Sequence, residues 1–103
     1  MIAAPPSHPV ARRARPSLAA LDGQPFIGFD RDIPTRRLID ALLRRHRVRV
    51  SHVMELDTIE TIKRSVEAGL GISILPAPAL AHERRAGSLV GRRLAEGPLE
   101  RPI

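Results

Sequence analysis

A chain of 103 residues holds one small domain, and with only Phe26 and Phe29 for aromatics its core must rest on Leu, Ile, Val and Ala. The absence of cysteine excludes disulfides and thiolate metal sites; the opening MIAAPPSHP is too short for a secretory signal, and no apolar run approaches the roughly 18 residues of a membrane helix, so a soluble, cytoplasmic protein is expected. The net charge of +6 comes from 16 arginines and Lys63 against 11 acids, spread along the chain with almost no aromatics to stack on bases, which favours a solvated surface over nucleic-acid contact.

Residues 1–16, rich in Pro, Ala and Arg, carry little periodicity and read as an irregular, mostly extended N-terminal arm. Ser17 to Leu21 can form one helical turn, ended at Asp22-Gly23. Phe26-Ile27-Gly28-Phe29 is a short apolar run between turn residues, the pattern of a buried strand. After the polar loop Asp30 to Pro34, Asp32 is positioned to cap a helix with Pro34 in its first turn. Leu38, Ile39, Leu42 and Leu43 recur at helical spacing opposite Arg36, Arg37, Asp40, Arg44 and Arg45, and the helix should end near His46.

Val48 to Glu55 alternates as a strand, with Val48, Val50 and Met54 on one side. Asp57 followed by Glu60 resembles a capping box for a second helix. Its apolar stripe is Ile59, Ile62 and Val66, with Glu60–Arg64 and Lys63–Glu67 at four-residue spacing. Gly69 is the expected left-handed stop and Leu70 the hydrophobic residue after it. Ile72 to Leu75 is a third strand, Pro78 to Arg85 another helix, Ser88 to Leu94 a last short strand, and residues 96–103 an irregular tail. Two strand–helix–strand crossovers imply an α/β fold with a parallel-rich sheet flanked by helices.

No catalytic constellation emerges. His8, His46, His52 and His82 lack metal-ligand spacing, so no metal or other cofactor is expected. Ser51 and His52 are adjacent on a strand and point to opposite faces. Gly69-Leu70-Gly71 follows a helix and lacks the third glycine of a dinucleotide fingerprint. An enzyme is therefore not expected.

Several motifs, in order, resemble the effector-binding domain of LysR-type transcriptional regulators: His8-Pro9-Val10-Ala11, Leu21 to Ile27, Arg37 to Asp40, and above all ETIKRSVEAGLGISILP at 60–76, with Gly87 and Arg101 following. The resemblance covers nearly the whole chain but part of the family. It implies one lobe of a two-lobed, periplasmic-binding-protein-like domain: the second lobe over residues 17–95 with crossover segments, without the helix-turn-helix and most of the first lobe. It implies a small-molecule effector between lobes, a tetramer on DNA, and packing of Thr35 to Arg45 with Val48 to Val53 against a neighbouring subunit.

The cleft face of such a lobe is built from strand ends and helix starts, here Asp30 to Arg36 and Leu56 to Thr61. Helix N-termini suit carboxylates and other anions. Phe29, Thr35, Arg36, Asp57, Thr58 and Thr61 are the candidate effector-binding residues: an apolar wall, hydroxyls and a planar fork. Each also has a structural reading, with Phe29 as core, Asp57 and Thr58 as caps and Arg36 as partner of Asp40, while Asp30 and Asp32 would repel an anion that they faced. The expected partners are an effector and a homo-oligomer or full-length regulator, with no membrane and no specific DNA binding by this chain alone. A small basic nucleic-acid-binding protein, an oligomerisation module and a non-functional fragment remain alternatives.

Overall fold

The computed structural model of the chain describes residues 1–97. Its strands are β1 (Ile2–Ala4), β2 (Pro25–Phe29), β3 (Ser51–Leu56), β4 (Ser73–Ile74) and β5 (Val90–Arg92). Its helices are α1 (Pro34–Arg45), α2 (Ile59–Glu67) and α3 (Ala81–Ala86), and three short 3₁₀ segments occupy Pro9–Arg12, Leu18–Leu21 and Ala77–Leu80.

β2 and β3 are parallel, and a parallel bridge from Phe26 to Ile72 joins β2 to the lead-in of β4. β1 is antiparallel to β4 on one side and to β5 on the other. The strands therefore lie side by side in the order β3-β2-β4-β1-β5, with β1 alone reversed. The parallel-rich α/β sheet read from the sequence is present.

The main departure is at the N-terminus. Ile2, Ala3 and Ala4, expected in an irregular arm, form an interior strand, and Ile2 is 0% exposed. Three successive buried residues mean that both faces of the strand are covered, which erases the alternation that betrays a half-buried strand. The same segment holds the 3₁₀ turn Pro9–Arg12, which explains the His8-Pro9 pair. His8 Nδ1 accepts from Val10 N–H at 3.1 Å, so Nε2 carries the proton shared with Gln24 Oε1, also at 3.1 Å.

Other expectations shift for local reasons. β3 begins at Ser51 and carries a bulge: Phe26 faces His52 while Ile27 faces Met54, so Val53 is the extra residue and stands 48% exposed. The expected helix Pro78 to Arg85 begins as the 3₁₀ turn Ala77–Leu80 and becomes α3 at Ala81; the last strand is limited to Val90–Arg92. The turn Leu18–Leu21 is capped from far away, because the Glu96 carboxylate accepts from Leu18 N–H at 3.0 and 3.1 Å. Of the expected tail, residues 98–103 and Arg101 among them lie outside the described residues.

The motif GLGISILP has a stepwise physical explanation. Gly69 has φ +82°, and Gly69 N–H and Leu70 N–H bond to Val66 and Ser65 carbonyls, closing α2 in a Schellman motif. Leu70, the hydrophobic residue after the stop, is 51% exposed. A Cβ on Gly71 would stand 2.8 Å from Pro25 O, so only glycine lets the chain come close enough for Ile72 to bond β2. Ser73 Oγ then donates to Ile27 O at 2.6 Å inside the core, with Ile72, Ile74 and Leu75 buried around it. α1 ends the same way with Arg47 instead of glycine in the left-handed position, at φ +58°.

One contiguous apolar cluster runs from Ile2 to Leu94 and includes both phenylalanines. Ile2→Ala should lower the unfolding free energy by about 3 kcal/mol in urea titrations. A residue in a solvated arm would change it by less than about 0.5 kcal/mol.

Candidate functional site

The starts of α1 and α2 follow the carboxyl ends of β2 and β3, and those ends are hydrogen-bonded neighbours. Phe29 pairs with Leu56, and Asp30 N–H continues the ladder to Leu56 O at 2.9 Å. The two helix tips therefore stand side by side on one margin of the sheet.

At the α2 tip the cap is Thr58. Its Oγ1 accepts from Thr61 N–H at 3.2 Å and lies 2.7 Å from Thr61 Oγ1, which donates to Thr58 O at 2.9 Å. The expected Asp57–Glu60 box is thus displaced by one residue: the hydroxyl reaches the third helical N–H, whereas Asp57 is exposed and makes no side-chain hydrogen bond among the described residues. The Ile59 and Glu60 amides have no partner among the described residues, since Ile62 N–H is the first to find a carbonyl, that of Thr58. Two free donors and two exposed hydroxyls converge there.

The α1 tip offers less. Asp32 does not cap it; Ile33 is the cap residue, without a side-chain bond, and Pro34 has no N–H to give. Arg36 N–H bonds Ile33 O, leaving Thr35 N–H as the one donor of the first three residues without a partner among the described residues. Thr35 is half-buried, and Phe29 is core at 4% exposure.

Arg36 is the largest surprise among the candidates. Its Nε donates to both Asp40 oxygens at 3.0 and 2.9 Å, and Nη1 donates to Phe29 O at 2.7 Å and Glu55 Oε2 at 2.6 Å. Only 8% exposed, it ties α1 to the ends of β2 and β3. Burial pulls its pKa down, but the hydrogen bonds and charges of Glu55 and Asp40 more than offset this and raise it. The hydrogen bond from Arg36 holds Glu55 below the usual carboxylate range, against partial desolvation. The spacing foreshadowed it: Arg36 lies three and seven residues before Ile39 and Leu43, on their buried face. Glu55 and Arg31, whose Nε lies 3.7 Å from Glu55, belong to the same network and escaped the sequence reading.

Lys63 plays the matching role for α2. Buried on the Ile62–Val66 side, its Nζ reaches Ala79 O at 3.0 Å and Glu60 and Glu83 at 2.9 Å each. The expected pairing with Glu67 gives way to this inward one. Desolvation lowers the Lys63 pKa, yet the two carboxylates raise it overall, and the hydrogen bond from Lys63 lowers that of Glu83. His52 rests edge-on against Phe26 at 5.6 Å between ring centroids, and desolvation, with the nearby Arg36 charge, lowers its pKa.

A groove of about 710 Å³ opens between α1 and residues 47–52, and another of about 790 Å³ between α3 and β5. Neither contains Thr35, Thr58 or Thr61; Arg36 borders the first. Among the described residues no three His, Asp or Glu side chains converge as for a metal, and no helix is long and apolar enough to cross a membrane.

Thr58→Ala should cost about 1 kcal/mol of stability in urea, whereas Asp57→Ala should cost less than about 0.5 kcal/mol. Glu83 binds its proton less readily folded than unfolded. Its stabilising effect is therefore complete above the ordinary value of 4.5 and lost as pH falls through the lowered folded value. In urea midpoints, Glu83→Gln should be less stable than the parent at pH 7, and the gap should close as the pH is lowered below about 4.5.

Residues 1–103 match the family described as LysR substrate binding domain. The HTH-type transcriptional regulator CbbR of Cereibacter sphaeroides is 38% identical over 101 residues, covering 97% of this chain and 33% of that protein. The HTH-type transcriptional activator CmpR of Synechocystis is 32% identical over 94 residues, covering 91% and 31%. Among solved structures, the Synechocystis PCC6803 CcmR regulatory domain in complex with 2-PG superposes with TM-score 0.85 at 31% identity, over 94% of this chain and 47% of that one. The effector-binding domain of QuiR in complex with shikimate shares the fold, with TM-score 0.83 at 21% identity. The chain spans about a third of these curated relatives and about half of these solved domains. With its periplasmic-binding-protein-like lobe and a family match over its whole length, the chain belongs to the LysR substrate binding domain family.

Proposed function

We propose that this lobe senses a small anionic metabolite as one half of a two-lobed effector site in a transcriptional regulator. The observation that carries the reading is the pairing of two helix tips on one sheet margin, fixed by the Asp30–Leu56 hydrogen bond. Such tips present N–H groups and a partial positive charge where a second lobe can close over a ligand. The α2 tip is the main contact: the Ile59 and Glu60 amides supply the free donors, and the Thr58 and Thr61 hydroxyls, bonded to each other and to Thr58 O, frame the cradle. Thr35 adds a flanking donor, and Asp57 and Asp30 border the cradle and select against ligands whose negative charge extends beyond it. Phe29 and Arg36 act from behind, the first as core and the second by holding both loops in place. Full affinity belongs to the two-lobed domain in an oligomeric regulator, and regulation of transcription, without catalysis, is its role.

The solved Synechocystis relative contains 2-PG, which makes 2-PG a suitable first probe. In amide NMR titrations of the chain, 2-PG should shift Ile59, Glu60 and Thr61 first and Thr35 to a smaller extent. The double variant Thr58→Ala, Thr61→Ala should weaken that response about tenfold. Shifts confined to other surfaces, or an unaltered response in the double variant, would remove the α2 tip from the site.

A further inference from the structure

The α2 tip carries an acid of its own. Glu60 is the second residue of the helix and the acidic residue of its first turn. Helical side chains lean toward the helix N-terminus, and a carboxylate there is drawn to free N–H groups and to the positive end of the dipole. Left to itself, Glu60 would turn back onto the amides of its own turn, as the acid of a capping box does. The Ile59 and Glu60 amides nevertheless have no partner among the described residues.

The carboxylate is held elsewhere. Glu60 Oε1 lies 2.9 Å from Lys63 Nζ, one turn along the helix. Arg64, exposed and four residues on, has no carboxylate within ion-pair distance among the described residues. Lys63 is suited to the task because it is itself fixed. Its side chain is 7% exposed, and its three N–H groups meet Glu60, Glu83 Oε2 at 2.9 Å and Ala79 O at 3.0 Å. Ala79 belongs to the 3₁₀ turn Ala77–Leu80 and Glu83 to α3, so the ammonium is anchored outside α2. The Glu60 side chain is 72% exposed and has no such anchor of its own.

We propose that Lys63 is a positioning residue of the effector site: by holding the Glu60 carboxylate, it keeps the Ile59 and Glu60 amides open to an external anion. The role rests on the reading of the α2 tip as the effector cradle. Lys63 touches no ligand; it stops the helix from capping itself and offsets the negative charge in its first turn. A purely structural tie between α2 and α3 needs Glu83 and Ala79 but not Glu60.

The test combines amide hydrogen exchange with 2-PG titration, both read by NMR on the full 103-residue chain and its variants. Replacing Lys63 alone would leave Glu83 buried and unpaired, so Lys63→Met and Glu83→Met are made together, exchanging the buried pair for apolar side chains. In the parent, the amides at positions 59 and 60 should exchange at close to open-chain rates, and Glu60→Ala should add no protection and remove none. In the paired substitution, those amides should exchange about fivefold more slowly and 2-PG should bind about fivefold more weakly. Adding Glu60→Ala should restore the exchange rates and the affinity. A loss of affinity that Glu60→Ala leaves in place would make Lys63 a structural tie only. Unchanged exchange in the paired substitution would mean that Glu60 stays off the tip without Lys63. Either result overturns the proposal. So does protection at positions 59 and 60 of the parent that Glu60→Ala abolishes, a comparison that does not depend on the paired substitution folding. If 2-PG leaves the α2 tip of the parent untouched, the effector reading falls, while the exchange rates still decide whether Lys63 holds Glu60 away from the amides.

Discussion

A single guanidinium decides where the two helix tips stand. Arg36 joins its own helix, through Asp40, to the last carbonyl of β2 and to Glu55 near the end of β3. Four hydrogen bonds from one planar group leave little freedom for three chain segments. The arrangement avoids the full cost of a buried ion pair, because the arginine is enclosed while both carboxylate partners keep about a third of their side-chain surface in solvent. The loops Asp30–Ile33 and Asp57–Thr58 thus leave from fixed points, and the backbone donors at the two helix tips are held in place by the fold itself.

Lys63 does comparable work one layer away, joining α2 to Glu83 of α3 and to the Ala79 carbonyl. Both basic residues occupy helix positions in phase with the apolar stripe, Arg36 with Ile39 and Leu43, Lys63 with Ile59 and Val66. A charged residue in phase with a core stripe is bound to find a buried partner or to bend the helix outward. Here each found carboxylates and a backbone carbonyl.

The elements that the sequence displayed clearly were those whose signals are local. The α2 stripe, the Gly69 stop and the apolar run of β2 depend on neighbours within a few positions, and they appear where spacing placed them. The cap slipped by one residue, from Asp57 to Thr58, because Asp and Thr are both good caps and only backbone geometry chooses between them. β1 was invisible for a different reason: its partners Ile74 and Arg92 are far along the chain, and its three apolar residues alternate with nothing. The Val53 bulge likewise arises from how β2 and β3 meet. For the candidate site, the placing of both helix starts at strand ends was readable, since strand end followed by helix start is a sequence pattern. The division of labour within it was not, because whether Phe29 and Arg36 face a ligand or the core depends on packing against segments distant in sequence.

The central position of β1 has a consequence for how the lobe comes into being. Met1 and Leu75, which extend the β1–β4 ladder by one pair, are 74 residues apart, so during translation Ile2–Ala4 emerge well before any strand they can join. The β2–α1–β3 unit can assemble while its flank still lacks a neighbour, and only the arrival of β4 and β5 gives the early triplet its slot. Long-range closure of this kind is slow and leaves an apolar edge open in the interval. A nascent chain stalled before residue 90 would therefore hold a half-closed sheet, with β1 still lacking its β5 neighbour.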